Sequence, residues 1–81
     1  MTDHLIGAIE LRAQAAEQRY GAFASTHEAL GVACEEWDEL RDAIRQNELG
    51  AVEHECLDLA AVLLRLARSL QNQETAARSV K

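Results

Sequence analysis

The stretch ALGVACEEWDELRDAI, residues 29–44, decides the fold, because its apolar residues recur at the three- and four-residue steps of an α-helix. The stripe that they predict consists of Ala29, Ala33, Trp37, Leu40 and Ile44. Upstream, Ser25 precedes Glu28 by three residues, which is the spacing of a capping box at a helix start. Downstream, we predict that the helix ends between Asn47 and Gly50, since both residue types terminate helices.

Two further helical stretches flank this segment. The first is predicted to begin at Thr2 or Asp3 and to end at Gly21, and the third is predicted to begin near Ala51. Their predicted apolar stripes are Leu5, Ile9, Ala13, Ala16 and Tyr20 on the first, and Val52, Cys56, Leu59, Leu63, Leu66 and Leu70 on the third. Because residues 73–81 lack this periodicity, we predict one domain over residues 1–72, followed by a frayed helix end or flexible tail.

Composition indicates an all-α fold, a helical bundle of three main helices. The 81-residue chain contains no proline, is rich in Ala, Leu, Glu, Arg and Gln, and shows no alternating strand pattern. Three helices with wide apolar faces do not easily close a core alone, and short chains bury little surface. We therefore expect homodimerisation, as a dimer or a dimer of dimers, to complete the core.

Charge and hydropathy exclude two classes of partner. The net charge is −6, from 14 acidic and 8 scattered basic residues, which disfavours binding to a nucleic-acid polymer. The apolar runs are too short for a membrane span, and the N-terminus does not resemble a signal peptide. We therefore expect a cytoplasmic protein, with Cys34 and Cys56 as buried free thiols.

Four acidic residues form two pairs along the flanks of the second and third helices. Glu36 and Glu39 are spaced by three residues, as are Glu55 and Asp58, and an antiparallel packing of the two helices lets the pairs face each other. Raised pKa values, arginine partners or hard cations would each relieve the repulsion, and oxygen-only ligands suit Mg²⁺ or Mn²⁺. The alternative is an ordinary solvated acidic face with partners at i,i+4.

The first helix carries an arginine within its predicted apolar stripe. Arg12 falls between Leu5 and Ala16 on the helical wheel. One interpretation is that its methylene groups cover the core while the guanidinium meets water or a nearby glutamate. The other is an arginine that faces the phosphates of a ligand held by metal ions.

The acidic pairs also occur in a recognisable arrangement. Glu35-Glu36-x-x-Glu39, then fifteen residues, then Glu55-x-x-Asp58, resembles the EExxE…ExxD signature of the MazG-like, all-α nucleoside triphosphate pyrophosphatase superfamily. The resemblance covers about residues 26–70 and includes the helical setting of both half-motifs and the aliphatic run after the second.

This resemblance implies a Mg²⁺-dependent hydrolase that cleaves a nucleoside triphosphate between the α and β phosphates, giving a monophosphate and pyrophosphate. It implies that the metal ligands are Glu36, Glu39, Glu55 and Asp58, that the catalytic residues are Glu35 and Glu36, and that the substrate-binding residues are Arg12, Trp37 and Arg65. In this assignment Glu35 either joins the ligands or orients the attacking water. The competing interpretation is a non-catalytic helical homo-oligomer that serves as a nucleotide-binding or protein-interaction module.

Overall fold

The computed structural model describes residues 2–79 of the chain, and the side chains of residues 4–72. Three α-helices follow one another: α1 (Thr2–Tyr20), α2 (Thr26–Arg45) and α3 (Leu49–Ser79). The predicted all-α class is therefore confirmed, and the described residues contain no strand. None of these helices combines the length and the apolar character that crossing a membrane requires.

The connection between α1 and α2 forms as its sequence predicts. Gly21 ends α1 in the left-handed region, with φ +78°, which a residue lacking Cβ adopts without strain. The hydroxyl of Ser25 then accepts a hydrogen bond of 3.1 Å from the backbone N–H of Glu28. The Glu28 carboxylate accepts in return from the N–H of Ala24, 2.7 Å away, rather than from that of the cap residue itself.

The connection between α2 and α3 is shorter than the sequence predicts. Asn47 has φ 57°, its N–H donates to the Ile44 carbonyl, and the N–H of Glu48 donates to the Ala43 carbonyl. These two bonds define a Schellman motif, so the asparagine alone terminates α2. The prediction of Gly50 as a second breaker is wrong, because α3 already begins at Leu49.

The long α3 helix is the centre of the fold. Both α1 and α2 pack against it, whereas no Cα atom of α1 comes within 8 Å of α2 in the described part of the chain. The α2–α3 connection is a tight turn, so these helices form an antiparallel hairpin. The separation of α1 from α2 leaves a cleft between them, with residues of α3 along its base.

The core is small and made mostly of alanine. The buried apolar residues are Ala13, Ala29, Leu40, Ala43, Ala61 and Val62. Among the described residues no large side chain is fully buried. On α3 the buried sector contains Ala61, Val62 and Arg65, whereas Leu63 and Leu70 of the predicted stripe are exposed. The predicted stripe differs from the buried sector because α3 is apolar around much of its circumference.

Several residues predicted to be buried lie at the surface. Leu5, Tyr20 and Ile44 are exposed although each belongs to a predicted stripe. The prediction of buried thiols is also wrong, since Cys34 and Cys56 are both exposed and unpaired. The predicted frayed end or tail over residues 73–81 lies outside the part of the chain whose side chains are described, so it stays a prediction, as does the domain boundary at residue 72.

Candidate metal centre

Three carboxylates from the two helices of the hairpin converge. Glu36 and Glu39 extend from α2, Glu55 extends from α3, and one oxygen of each lies within 4.8 Å of an oxygen of the other two. The i,i+3 spacing on α2 and the antiparallel packing of α3 bring them to the same level. A single ion at the centre of such a group could contact an oxygen from every one of them.

Two oxygen atoms of this cluster are buried without a hydrogen-bond partner. They are Oε2 of Glu36 and Oε2 of Glu55, on opposite helices. A buried carboxylate oxygen without a donor costs free energy of folding, on the order of several kcal/mol when the group is ionised. Where the carboxylates meet, these two oxygens therefore accept no hydrogen bond from the protein.

Burial and mutual repulsion raise the pKa values of these groups. The pKa of Glu36 rises from 4.5 to about 7, first because burial penalises the charged form and then because Glu39, Asp58 and Glu55 repel it. The pKa of Glu55 is also raised, chiefly by burial and then by its hydrogen bond to Glu39 and by the charges of Glu39 and Asp58. In the absence of a cation, Glu36 is therefore about half protonated at pH 7.

Asp58, the fourth predicted ligand, is engaged elsewhere. The guanidinium of Arg12 donates to Oδ1 of Asp58 and also, over 3.2 Å, to the backbone carbonyl of His54. The Nε2 atom of His54 lies 3.4 Å from the second carboxylate oxygen, Oδ2. Arg12 therefore pairs with one oxygen of Asp58 and His54 lies beside the other, whereas Oε2 of Glu36 and Oε2 of Glu55 have no partner.

The ion pair of Arg12 with Asp58 agrees in part with the structural interpretation of this arginine. Arg12 pairs with an acid of α3, as the structural interpretation predicts, but the acid is Asp58 rather than a glutamate. The same side chain also lines the cleft between α1 and α2, close to Glu35 and Glu36. A phosphate-contacting role for Arg12 would require that it exchange Asp58 for a phosphate.

The cleft beside the carboxylates is large enough for a nucleotide. Its volume is about 720 Å³, within the range of about 300–1,000 Å³ of small-molecule sites. Its walls carry both signs of charge: the acids are Glu28, Glu35, Glu36 and Asp58, and the arginines are Arg12, Arg19 and Arg65. Phe23, from the connection between α1 and α2, also lines the cleft.

Arg65 is the only charged residue that is buried among those described, with 7 % of its surface exposed. Its Nε donates to Glu17 over 3.2 Å, and Nη2 donates to the Gly21 carbonyl over 3.1 Å. The guanidinium carbon lies 4.1 Å from the centroid of the Phe23 ring, in cation–π geometry. Arg65 therefore ties α3 to the end of α1 and to the following connection.

The structure places the remaining predicted site residues on different sides of α2. Glu35 lines the cleft next to Glu36. Trp37 is 48 % exposed and does not line the cleft, because it lies on the opposite flank of the helix from Glu39. Its predicted contact with a substrate base stays a prediction, and this position gives it no support within one subunit.

Two further contacts shape the site, His54 with Asp58 and Glu17 with Arg65, and only the first has a signal in the sequence. His54 lies four residues before Asp58, a spacing that places them on one helical face and that was visible in the sequence. The contact between Glu17 and Arg65 has no such local signal. It joins residues 48 positions apart, so it depends on how α1 rotates against α3.

Comparisons of the chain with protein families, with curated proteins and with solved structures find no match. The assignment of a function therefore depends on the geometry and on the sequence motif.

The residues present fit a hard divalent cation. The converging donors are all carboxylate oxygens, which are the ligands that Mg²⁺ and Mn²⁺ prefer. The unpartnered oxygens of Glu36 and Glu55 belong to the same group, so an ion would supply the missing partner of each. Exposed acidic residues cluster on many helices without an ion, but buried acceptors without donors are uncommon.

Proposed function

We propose that this chain is a Mg²⁺-dependent nucleoside triphosphate pyrophosphohydrolase, similar to the MazG-like enzymes, that cleaves the α–β phosphoanhydride to a monophosphate and pyrophosphate. The observation that carries the proposal is the convergence of Glu36, Glu39 and Glu55, with two buried oxygens lacking a donor, beside a cleft of nucleotide size. The EExxE…ExxD spacing supports the same conclusion.

In this proposal Glu36, Glu39 and Glu55 hold Mg²⁺ or Mn²⁺, and Asp58 joins them once Arg12 releases it. A bound Mg²⁺ would supply positive charge to neutralise the triphosphate, to lower the pKa of a bound water and to stabilise the leaving pyrophosphate. Glu35, at the cleft wall, accepts a hydrogen bond from the attacking water and orients it.

Arg12 has two partners in the proposed cycle. Its guanidinium neutralises Asp58 before substrate binds, which limits repulsion among the acids. With Asp58 serving as a metal ligand, the Arg12 guanidinium would be free to bind a phosphate from within the cleft, where Arg19 also lies. Arg12 would thus have an anionic partner both before and after substrate binds, first Asp58 and then a phosphate. The ion pair is therefore compatible with the predicted substrate role of Arg12.

The proposed enzyme acts in the cytoplasm as a homodimer or a dimer of dimers. A second candidate function is a non-catalytic helical homo-oligomer that binds a nucleotide or a protein partner. The observation favouring it is the Arg12–Asp58 ion pair, which withholds the fourth acid from the cluster. The two candidates differ in whether pyrophosphate is released, and the experiments below separate them.

Stability of the metal-free protein should fall as the pH rises toward 8. Because the folded-state pKa of Glu36, about 7, lies above its ordinary value of 4.5, the folded chain keeps a proton that the unfolded chain releases. The contribution from this group is complete below about pH 4.5 and is lost as the pH rises through 7. Thermal melts should therefore give a higher midpoint at pH 5.5 than at pH 8.

Added Mg²⁺ should narrow the difference between these two midpoints. At pH 8 the carboxylates are ionised, and Mg²⁺ at ten times its Kd stabilises the fold by about 1.4 kcal/mol through mass action. At pH 5.5 protons compete for the same oxygens, so the increase in the midpoint should shrink. An equal concentration of a monovalent salt, matched for ionic strength, controls for screening. A midpoint at pH 8 that Mg²⁺ raises no more than that salt would refute the metal centre.

A panel of nucleoside triphosphates with Mg²⁺ tests the reaction itself. We expect release of pyrophosphate and the monophosphate in equal amounts, and none of either when EDTA replaces the metal. In H₂¹⁸O the label should enter the monophosphate if water attacks the α phosphorus and pyrophosphate if it attacks the β phosphorus, and either result agrees with cleavage of the α–β bond. Release of orthophosphate would indicate attack at the γ position, and no release from any member of the panel would favour the non-catalytic module.

A further inference from the structure

A second groove lies between α1 and α3, on the other side of α1 from the acidic cleft. Its volume is about 350 Å³, near the lower end of the roughly 300–1,000 Å³ of small-molecule sites. From α1, Arg12 and Arg19 line the cleft, whereas Gln14 and Gln18 line the groove, and the two sets lie on opposite flanks of the helical wheel. Buried Ala13 lies between these flanks, where α1 meets α3. The groove is therefore a cavity distinct from the candidate metal centre.

Four side chains that carry N–H donors form the rim of this groove. Gln14 and Gln18 are four residues apart on α1, and Arg68 and Asn72 are four residues apart on α3, so each pair lies along one face of its helix. None of the four carries a carboxylate, and each ends in at least one NH₂ group. Among the described residues, their one side-chain hydrogen bond joins Arg68 to Glu10, at the long distance of 3.5 Å. The rim therefore offers donors that the described residues hardly use.

The base of the groove is a fixed ion pair. Arg65 lines the groove as well as the cleft, and it is buried. Its Nε donates to Glu17 over 3.2 Å, and its Nη2 donates to the Gly21 carbonyl over 3.1 Å. Within the described part of the chain Nη1 donates to no acceptor, so its N–H groups stay available. The pair holds the guanidinium in place before any ligand arrives, which reduces the entropic cost of binding.

The charge of the groove differs in sign from that of the chain. Its charged lining residues are Arg65, Arg68 and Glu17, which sum to +1, whereas the whole chain carries −6. Arg65 and Glu17 neutralise each other, so the excess charge belongs to Arg68. The contact of Arg68 with Glu10 is half-exposed, and such pairs contribute little, so a better acceptor can replace it. A planar guanidinium donates two parallel hydrogen bonds to a carboxylate or a phosphate.

We infer that the groove between α1 and α3 binds a small oxoanion, a carboxylate or a phosphate group, with Arg68 as its charged contact. The amides of Gln14, Gln18 and Asn72 donate to the remaining oxygens of the ligand. A cation would find only Glu17 here, already paired with Arg65, and an apolar ligand would find few apolar side chains. The distribution of donors and charge therefore selects an anion.

This site is independent of the proposed hydrolase. A phosphate in the acidic cleft needs a cation to offset the carboxylates, whereas the groove has a positive lining of its own. The test below uses neither Mg²⁺ nor nucleotide. A failed hydrolase assay therefore leaves the oxoanion site intact, and a failed binding assay leaves the metal centre to be judged by its own experiments.

Titration of the ¹⁵N-labelled chain with orthophosphate, and separately with acetate, tests the inference. Side-chain amide resonances report on the groove alone, because none of the described residues that line the cleft is a glutamine or an asparagine. At constant pH and ionic strength, up to about 50 mM anion, we expect saturable shifts of the amides of Gln14, Gln18 and Asn72. The amides of Gln46 and Asn47, in the α2–α3 connection, serve as the reference and should not shift.

Arg68→Gln is the first probe, and Arg41→Gln is its matched control. The two arginines are exposed to a similar extent, 50 % and 44 %, and each has one weak acidic partner, but Arg41 lies on α2 outside the groove. We expect Arg68→Gln to weaken anion binding by at least about tenfold, because a charge-assisted contact becomes a neutral one. Arg41→Gln should leave the Kd within about twofold of the wild type, since its charge is distant and screened.

Gln14→Glu is the second probe, and it keeps the test valid if Arg68→Gln does not fold. Gln14 is exposed, so the substitution does not disturb the core, and the new carboxylate repels an anion in the groove. We expect at least about tenfold weaker binding, whereas Gln46→Glu adds the same charge elsewhere and should change the Kd by no more than about twofold.

The two anions distinguish the source of the ligand group. Saturation by orthophosphate alone assigns a phosphate group, saturation by acetate alone assigns a carboxylate, and saturation by both assigns a general oxoanion site. Three results overturn the inference: no saturable shift with either anion, equal shifts of the Gln46 and Asn47 amides, and equal weakening by Arg41→Gln and Arg68→Gln.

Discussion

Substituting Glu36 with glutamine should abolish Mg²⁺-dependent pyrophosphate release, lowering kcat/KM by at least about 100-fold, while making the metal-free protein more stable. The two effects have one cause. Glu36 is held beside two other carboxylates with an unpartnered oxygen and a pKa of about 7, so the group that would bind the cation is costly to keep without it. A neutral amide removes the repulsion together with the ligand.

The matched control for this experiment is Asp38→Asn on the same helix. It removes one negative charge two residues away, but Asp38 is exposed and pairs only distantly, at 3.8 Å, with Arg41. We expect its activity to remain within about threefold of the wild type, since charges exposed to solvent contribute little. The measurements are steady-state pyrophosphate release and thermal melts with and without Mg²⁺. Equal losses of activity in both variants would show that net charge, not ligation, controls the rate.

A gain of stability in Glu36→Gln is the more discriminating half of the prediction. If Glu36 served only in packing, the protein would lose stability on this substitution, whereas removing a charge held in an unfavourable environment makes the protein more stable. The variant should also show a smaller difference in thermal midpoint between pH 5.5 and pH 8, because Glu36 no longer titrates, and it should lose the response to Mg²⁺. If Glu36→Gln melted below the wild type at pH 8 without metal, the carboxylates would not be under electrostatic strain, and the metal proposal would lose its physical basis.

Local patterns in the sequence predict the elements well and the contacts between them poorly. The end of α1 and the start of α2 are encoded within eight residues, by Gly21, Ser25 and Glu28. The convergence of Glu36, Glu39 and Glu55 also follows from local information, because a short turn permits only an antiparallel hairpin. The relevant distances are fixed by helix geometry and by the register of that hairpin.

The rotation of α1 about its own axis has no such local signal. Whether Arg12 meets water, a glutamate or Asp58 depends on how α1 settles on α3, and those residues are 46 positions apart. The predicted stripes fail for a related reason. When a helix is apolar on both sides, as α3 is, periodicity identifies two candidate contact faces, and the small chain covers only one of them.

Arg65 illustrates the same limit and gives the second large effect. The resemblance to the MazG-like superfamily implies that Arg65 binds substrate, and Arg65 does line the cleft. It is also the most deeply buried charge among the described residues, fixed by Glu17, the Gly21 carbonyl and the Phe23 ring. Substituting it with alanine leaves a void, an unpaired carbonyl and an unpaired carboxylate at the point where α1, α3 and the connection meet.

We expect Arg65→Ala to lower the free energy of unfolding by about 2–4 kcal/mol, which is a large share of the stability of a domain this small. For a chain of this length that corresponds to a midpoint lower by at least about 10 °C. Arg68→Ala is the control, because Arg68 is half-exposed and meets Glu10 at 3.5 Å. It should change the free energy of unfolding by no more than about 0.5 kcal/mol. Urea titrations of both variants provide the measurement.

Arg65→Lys separates the structural role from the substrate role. Lysine keeps the charge but lacks the planar fork that reaches Glu17 and Gly21 together, so a structural Arg65 should lose much of its stabilising effect in this variant. A phosphate ligand, in contrast, accepts a lysine as a point charge, so the KM for a nucleotide should change little at temperatures where the variant is folded. A variant that melts like the wild type but has a KM raised more than about tenfold would reverse this assignment and make Arg65 primarily a substrate contact. The opposite pattern would show that Arg65 shapes the cleft wall by holding α1 and Phe23 in place.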